Sequence, residues 1–138
     1  MAPGCLTLRM SLIGREPSGS RSGLVEWFLA AAEPVRGYAA ALFTGVTTPV
    51  AARLIAVVLR QQPMLDGVWH AAAAPISKLD LLRALAERAR PGLAIEAVAE
   101  PVIDRRLDGT AMAERLGWTA PPWRAMLDEM LGPPPCVP

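Results

Sequence analysis

The sequence predicts an α/β or α+β fold, and three observations predict it. Stretches of strand-like and helix-like patterning alternate along the chain. ISKLDLLRALAERA is a capped amphipathic helix that feeds a β-like run, LAIEAVAE. Beyond that run comes VIDRRLD, which sets two adjacent arginines among acids at a strand end.

The elements follow in order. CLTLRMSLIG is rich in Leu and Ile, alternates moderately, and reads as one strand ended by Gly14. REPSGSRSG is a loop. Ser22 stands at the N-cap position of GLVEWFLAAAE, a short helix ended by Pro34. VRGYAAALF is extended around Val35 to Tyr38. Thr47 or Thr48 caps the next helix, with Pro49 in its first turn, where a missing N–H costs nothing. Val50, Leu54, Val57 and Val58 share one face of it.

QQPMLDG is a turn and GVWHAAA a short apolar strand. Ser77, with Asp80 three residues on, makes a capping-box variant. Leu81, Leu82, Leu85 and Ala89 form that helix's buried stripe, and Pro91-Gly92 stops it. LAIEAVAE is a strand with one polar face. Thr110 caps AMAERLG, closed by Gly117, and Pro121-Pro122 opens WRAMLDEML. The tail GPPPCVP cannot be helical and is expected to fray.

The 138 residues are the size of one domain, and 52% are apolar, enough for a core. A net charge of +1 with scattered basic residues gives no footprint for nucleic acid. One His and two distant cysteines, Cys5 and Cys136, cannot make an ordinary zinc site within one chain, so no metal is expected. The N-terminus lacks a basic region before its apolar run, and Arg9 interrupts that run. Gly45, Pro49 and Arg53 break the apolar stretch 37–59, which argues against a membrane span. A reduced, cytoplasmic protein is the expectation.

Arg105 and Arg106, with Asp104 and Asp108, form an anion-capable cluster, since an arginine can grip phosphate with two parallel donors. From spacing alone, a solvated surface cluster is the commoner outcome. His70 ends an apolar strand with no nucleophile signature beside it, and fits a core or boundary histidine. Trp27, Trp69, Trp118 and Trp123 stand where an element needs a large anchor, and read as core. Glu26, Glu33, Asp80 and Glu87 pair with nothing that suggests two acting carboxylates. GREPSGSRSG matches neither GxGxxG nor a phosphate loop. Leu42 lies four residues after the only tyrosine, Tyr38, and Lys78 is the only lysine, so no Tyr-x-x-x-Lys pair exists.

Five segments in order carry a resemblance: LTLRMSLIGRE, GLVEWFLA, VRGYAAALFTGVTT, GVWHAAAAPISKLDLLRALAE and VIDRRLDGTAMAERLGWTAPPWRAMLDEM. Together they resemble the C-terminal half of extended short-chain dehydrogenases/reductases, in the branch of sugar-nucleotide reductases and epimerases similar to dTDP-4-dehydrorhamnose reductase. No single piece is a strict signature; the collinearity carries the likeness.

The resemblance implies late strands of a Rossmann-type sheet plus a small substrate-binding domain over residues 1–132, with residues 133–138 a disordered tail. It implies that the Rossmann half, with GxxGxxG for NAD or NADP and the catalytic Tyr-x-x-x-Lys, is absent. Arg9, Met10 and Ser11 then match the strand end beside the nicotinamide and substrate. Thr47 and Thr48 match a loop opening a helix near the substrate pocket. Arg105 matches an arginine facing the nucleotide-sugar phosphates, while Arg106 holds a variable position. No catalytic residue carries over.

The implied function is binding a dTDP-4-keto-sugar-like nucleotide as part of a reductase or epimerase, without activity or cofactor binding by this chain alone. Residues 6–13 and 68–72 would present unpaired edges, to be met by a separately encoded Rossmann half or by self-association. The alternative is a non-catalytic regulatory or scaffold subunit that pairs with a Rossmann-containing enzyme. A stand-alone helical interaction domain requires the strands at 6–13 and 93–99 to be wrong.

Overall fold

The computed structural model describes residues 5–16, 23–32, 34–61 and 65–132, and it is mixed α/β. β1 (Leu6–Arg9) pairs in parallel with β6 (Gly67–His70), placing Arg9 opposite His70. β2 (Leu12–Ile13) pairs in parallel with β5 (Val46–Thr47). The single strand expected over this stretch is therefore two. The chain changes neighbours at Met10 and Ser11, where Met10 packs against two core clusters and the Ser11 carbonyl accepts from Val46 N–H.

β3 (Val35–Tyr38) pairs in parallel with β8 (Ile95–Val98). β4 (Ala41–Phe43) lies between β9 (Ile103–Arg105), parallel to it, and β7 (Ile76–Ser77), antiparallel to it. β3–β4 and β8–β9 thus run as one interrupted ribbon, bridged by Ala39 N–H to Val98 O and Ile103 N–H to Ala40 O. The apolar stretch 37–59 resolves into β3, β4, β5 and helix α2 (Thr48–Gln61). Among the described residues, no helix is long and apolar enough to cross a membrane.

Helix α3 (Lys78–Ala89) is capped as its sequence predicts: Ser77 Oγ accepts from Asp80 N–H at 3.0 Å and donates to the Asp80 carboxylate at 2.7 Å. It lies directly on β3, so that a Cβ at Gly37 would stand 2.6 Å from Leu79 Cδ1. Leu81, Leu82 and Leu85 are fully buried with Val25 and Phe28 of α1 (Leu24–Leu29) and Leu127 of α5 (Trp123–Leu131). Each such side chain contributes about 1.5–3 kcal/mol on burial.

Arg88 of α3 and Arg90, at its C-cap, fasten the helix to its neighbours. Arg88, whose side chain is 1% exposed, donates to Asp128 of α5 at 2.7 Å and to the carbonyls of Ala84 and Arg124. Arg90 donates to the carbonyls of Leu29 and Ala31, satisfying acceptors at the end of α1. α1 accordingly stops well before Pro34. Its expected cap, Ser22, lies outside the described residues, and Gly23 holds the N-cap position without a side-chain bond. The expected fraying tail, from residue 133, also lies outside them, as does Cys136; Cys5 is exposed and free.

Helix α4 (Thr110–Leu116) ends on Gly117 in the left-handed conformation, φ 63°, as its sequence suggests. Thr110 does not cap it but is its first residue. Asp108 accepts from Thr110 N–H at 2.9 Å and from Thr110 Oγ1 at 2.6 Å. The expected cap on α2 also differs. Thr47 Oγ1 is buried with no hydrogen-bond partner among the described residues, and Thr48 is the first helical residue. Trp69, Trp118 and Trp123 pack against the clusters as expected, but Trp27 is 42% exposed. It lies beside the ammonium of Lys78 instead of in the core.

Candidate functional site

Arg105 and Arg106 are neighbours in sequence and face opposite ways. Side chains alternate along a strand, so Asp104 and Arg106 share one side and Arg105 takes the other. Arg106 donates to Asp104 through Nε at 2.9 Å and Nη2 at 2.6 Å. Its backbone N–H donates to the same carboxylate at 3.0 Å. The Arg106 side chain, then its backbone N–H, holds the Asp104 carboxyl down at about 2. The Arg105 side chain has no hydrogen-bond or ion-pair partner among the described residues.

The two sides open on different clefts. Arg105 lines a mainly apolar cleft of about 360 Å³ with Ser11, Leu12, Tyr38, Phe43 and Lys78. Asp104 and Arg106 line a more open cleft of about 770 Å³, with Thr44, Asp108, Thr110 and Trp118. Asp108 is also held below the usual carboxylate range, first by the Thr110 hydroxyl, then by its N–H, with a smaller contribution from the charge of His70.

Thr44, which the sequence reading passed over, organises the loop between β9 and α4. It is 3% exposed, and its Oγ1 accepts from Leu107 N–H at 2.8 Å while donating to Leu107 O at 3.4 Å. Thr44 directly follows β4, the strand beside β9, whereas Thr47 and Thr48 belong to the junction of β5 and α2. The described lining of the Arg105 cleft includes neither Thr47 nor Thr48. Thr48 packs over Gly14, where a Cβ would meet it at 2.5 Å.

The other expected trio is also divided. Arg9 is exposed at the end of β1, Met10 packs into the core, and Ser11 alone lines the Arg105 cleft. The described residues offer no cradle for a dinucleotide pyrophosphate. A cradle for it needs a glycine turn whose free N–H groups open a helix. Here Gly23 precedes α1, but a Cβ on it would stand 2.3 Å from Glu16 Oε1, so a carboxylate already occupies that helix start. Among the described residues nothing else offers a glycine-rich turn of that kind.

No family model matches the chain, and neither does any curated protein. Solved structures do match. A dTDP-4-dehydrorhamnose reductase from Bacillus anthracis, in complex with NADP, aligns with TM-score 0.73 and 13% identity over 91% of this chain and 47% of that one. A dTDP-4-dehydrorhamnose reductase from Clostridium acetobutylicum aligns with TM-score 0.73 and 14% identity, over 91% and 47%. A UDP-glucose 4-epimerase from Thermotoga maritima, with UDP-glucose, aligns with TM-score 0.68 and 19% identity, over 91% and 44%. The chain spans less than half the length of each. Over that span it carries the fold of the sugar-nucleotide reductases and epimerases that its sequence resembles.

Proposed function

We infer that residues 1–132 act as the sugar-nucleotide-binding region of an NAD(P)-dependent reductase or epimerase, and that this chain alone transfers no hydride. The observation that carries this reading is the unpaired Arg105 guanidinium in an apolar cleft beside Ser11, with its neighbour Arg106 bound to Asp104. A nucleotide sugar combines an anionic diphosphate with less polar flanking parts, which suits a cation set in an apolar wall. Arg105 would grip the diphosphate and Ser11 would contact the same ligand. A nicotinamide cofactor supplies the hydride in such chemistry. Its glycine turn and proton-donating Tyr-Lys pair would come from further polypeptide. The parallel β1–β6 pair supports that element, because parallel strands are normally covered on both faces and Val68 here is 50% exposed.

Isothermal titration of the chain with dTDP-glucose and UDP-glucose tests the reading. Binding that Arg105→Ala weakens at least about tenfold is the expected result. No binding of either compound, or binding indifferent to Arg105, would overturn it.

A further inference from the structure

We propose that Lys78 is a second anion-binding residue of the Arg105 cleft, gripping the diphosphate from the side opposite Arg105. This rests on the reading of that cleft as a sugar-nucleotide site.

The placement follows from the three-stranded sheet. Phe43 in β4 has Arg105 of β9 as its partner on one side and Ile76 of β7 on the other. Lys78 follows β7 by one residue. β9, which carries Arg105, and β7, whose end leads into Lys78, are therefore separated by one strand, about 10 Å apart, a span that a long arginine and a long lysine can close onto one diphosphate. Both side chains line the same cleft, and no carboxylate is among its described lining.

The ammonium is held without being neutralised. Lys78 Nζ lies 5.6 Å from the Trp27 ring centre and 5.4 Å from that of Tyr38. Ring faces attract a cation but accept no conventional hydrogen bond, so its three N–H donors stay available. Lys78 has no hydrogen-bond or ion-pair partner among the described residues. It also borders an adjoining cleft of about 500 Å³ with Trp27, Arg36 and Tyr38, whose described lining again holds no acid. A lone lysine serving only to cover apolar surface needs neither ring. Two rings beside an unpaired ammonium that lines a cleft favour an anionic ligand.

The test is titration calorimetry of the full chain with dTDP, UDP, thymidine and uridine, for wild type, Arg105→Ala, Lys78→Met and Lys78→Arg. Lys78→Met keeps the stem and removes the charge; far-UV circular dichroism and a urea midpoint verify its folding. The expected result is diphosphate affinity reduced at least about tenfold in Lys78→Met and largely recovered in Lys78→Arg, with nucleoside binding unchanged. If wild type binds neither diphosphate, the reading of the cleft fails and this proposal with it. If wild type binds, Arg105→Ala weakens it and folded Lys78→Met matches wild type, the cleft reading stands and the role of Lys78 is overturned.

Discussion

The Arg106 guanidinium grips both carboxylate oxygens of Asp104, at 2.9 and 2.6 Å, and leaves Arg105 as the unpaired arginine of the strand. Asp104 is held at about 2, below its ordinary 3.8. A depressed acid stabilises the fold while it is ionised, so this contribution is present above about pH 4 and is lost as pH falls toward 2. Carboxyl NMR titration is expected to show Asp104 returning toward its ordinary value in Arg106→Gln. An unchanged titration would show that the pair does not form in solution.

Opposite orientation should separate the two arginines in binding. Arg105→Ala is expected to abolish most affinity for a nucleoside diphosphate, whereas Arg106→Ala should change it by less than about threefold, the scale of an exposed, screened charge. Equal losses in both variants would mean that the ligand lies in the larger cleft.

Two buried threonines predict opposite signs. Thr44→Val removes the partner of both backbone groups of Leu107 and should cost about 1–3 kcal/mol in urea unfolding. Thr47→Val replaces a buried hydroxyl with no partner among the described residues, and is expected to be neutral or stabilising by about 1 kcal/mol. A destabilising Thr47→Val accompanied by lost ligand affinity would instead support a ligand-binding role for Thr47.

The α3–α5 tie is asymmetric. Asp128→Asn leaves the Arg88 charge buried, while Arg88→Met leaves a carboxylate that is 40% exposed to water. Asp128→Asn should therefore be the more damaging, at about 1–3 kcal/mol. Denaturant melts of both variants decide the order.

The purified chain is expected to show no NADPH consumption with a 4-keto sugar nucleotide. It should also be found self-associated by light scattering, because among the described residues β6 pairs with β1 alone, in parallel, and Val68 is half exposed. Measurable turnover would contradict the first expectation, and a monodisperse monomer the second.

Local chemistry was legible in the sequence. The Ser77–Asp80 cap, the Leu81–Leu82–Leu85 stripe, the Gly117 helix end and the order of major elements are near-neighbour effects, and short-range patterning encodes them. What escaped it were pairings between distant segments. β2, β4, β5 and β7 run two or three residues each, too short for any periodicity. Thr44 meets Leu107 across 63 positions, a contact no local pattern announces.

By itself, then, the sequence determined which segments become helices and major strands, and which cationic stretch to watch. Tertiary structure alone decided which arginine is available. Strand pleat sends Arg105 and Arg106 to opposite sides, with Asp104 on the side of Arg106, and only the packed sheet puts a cleft under Arg105.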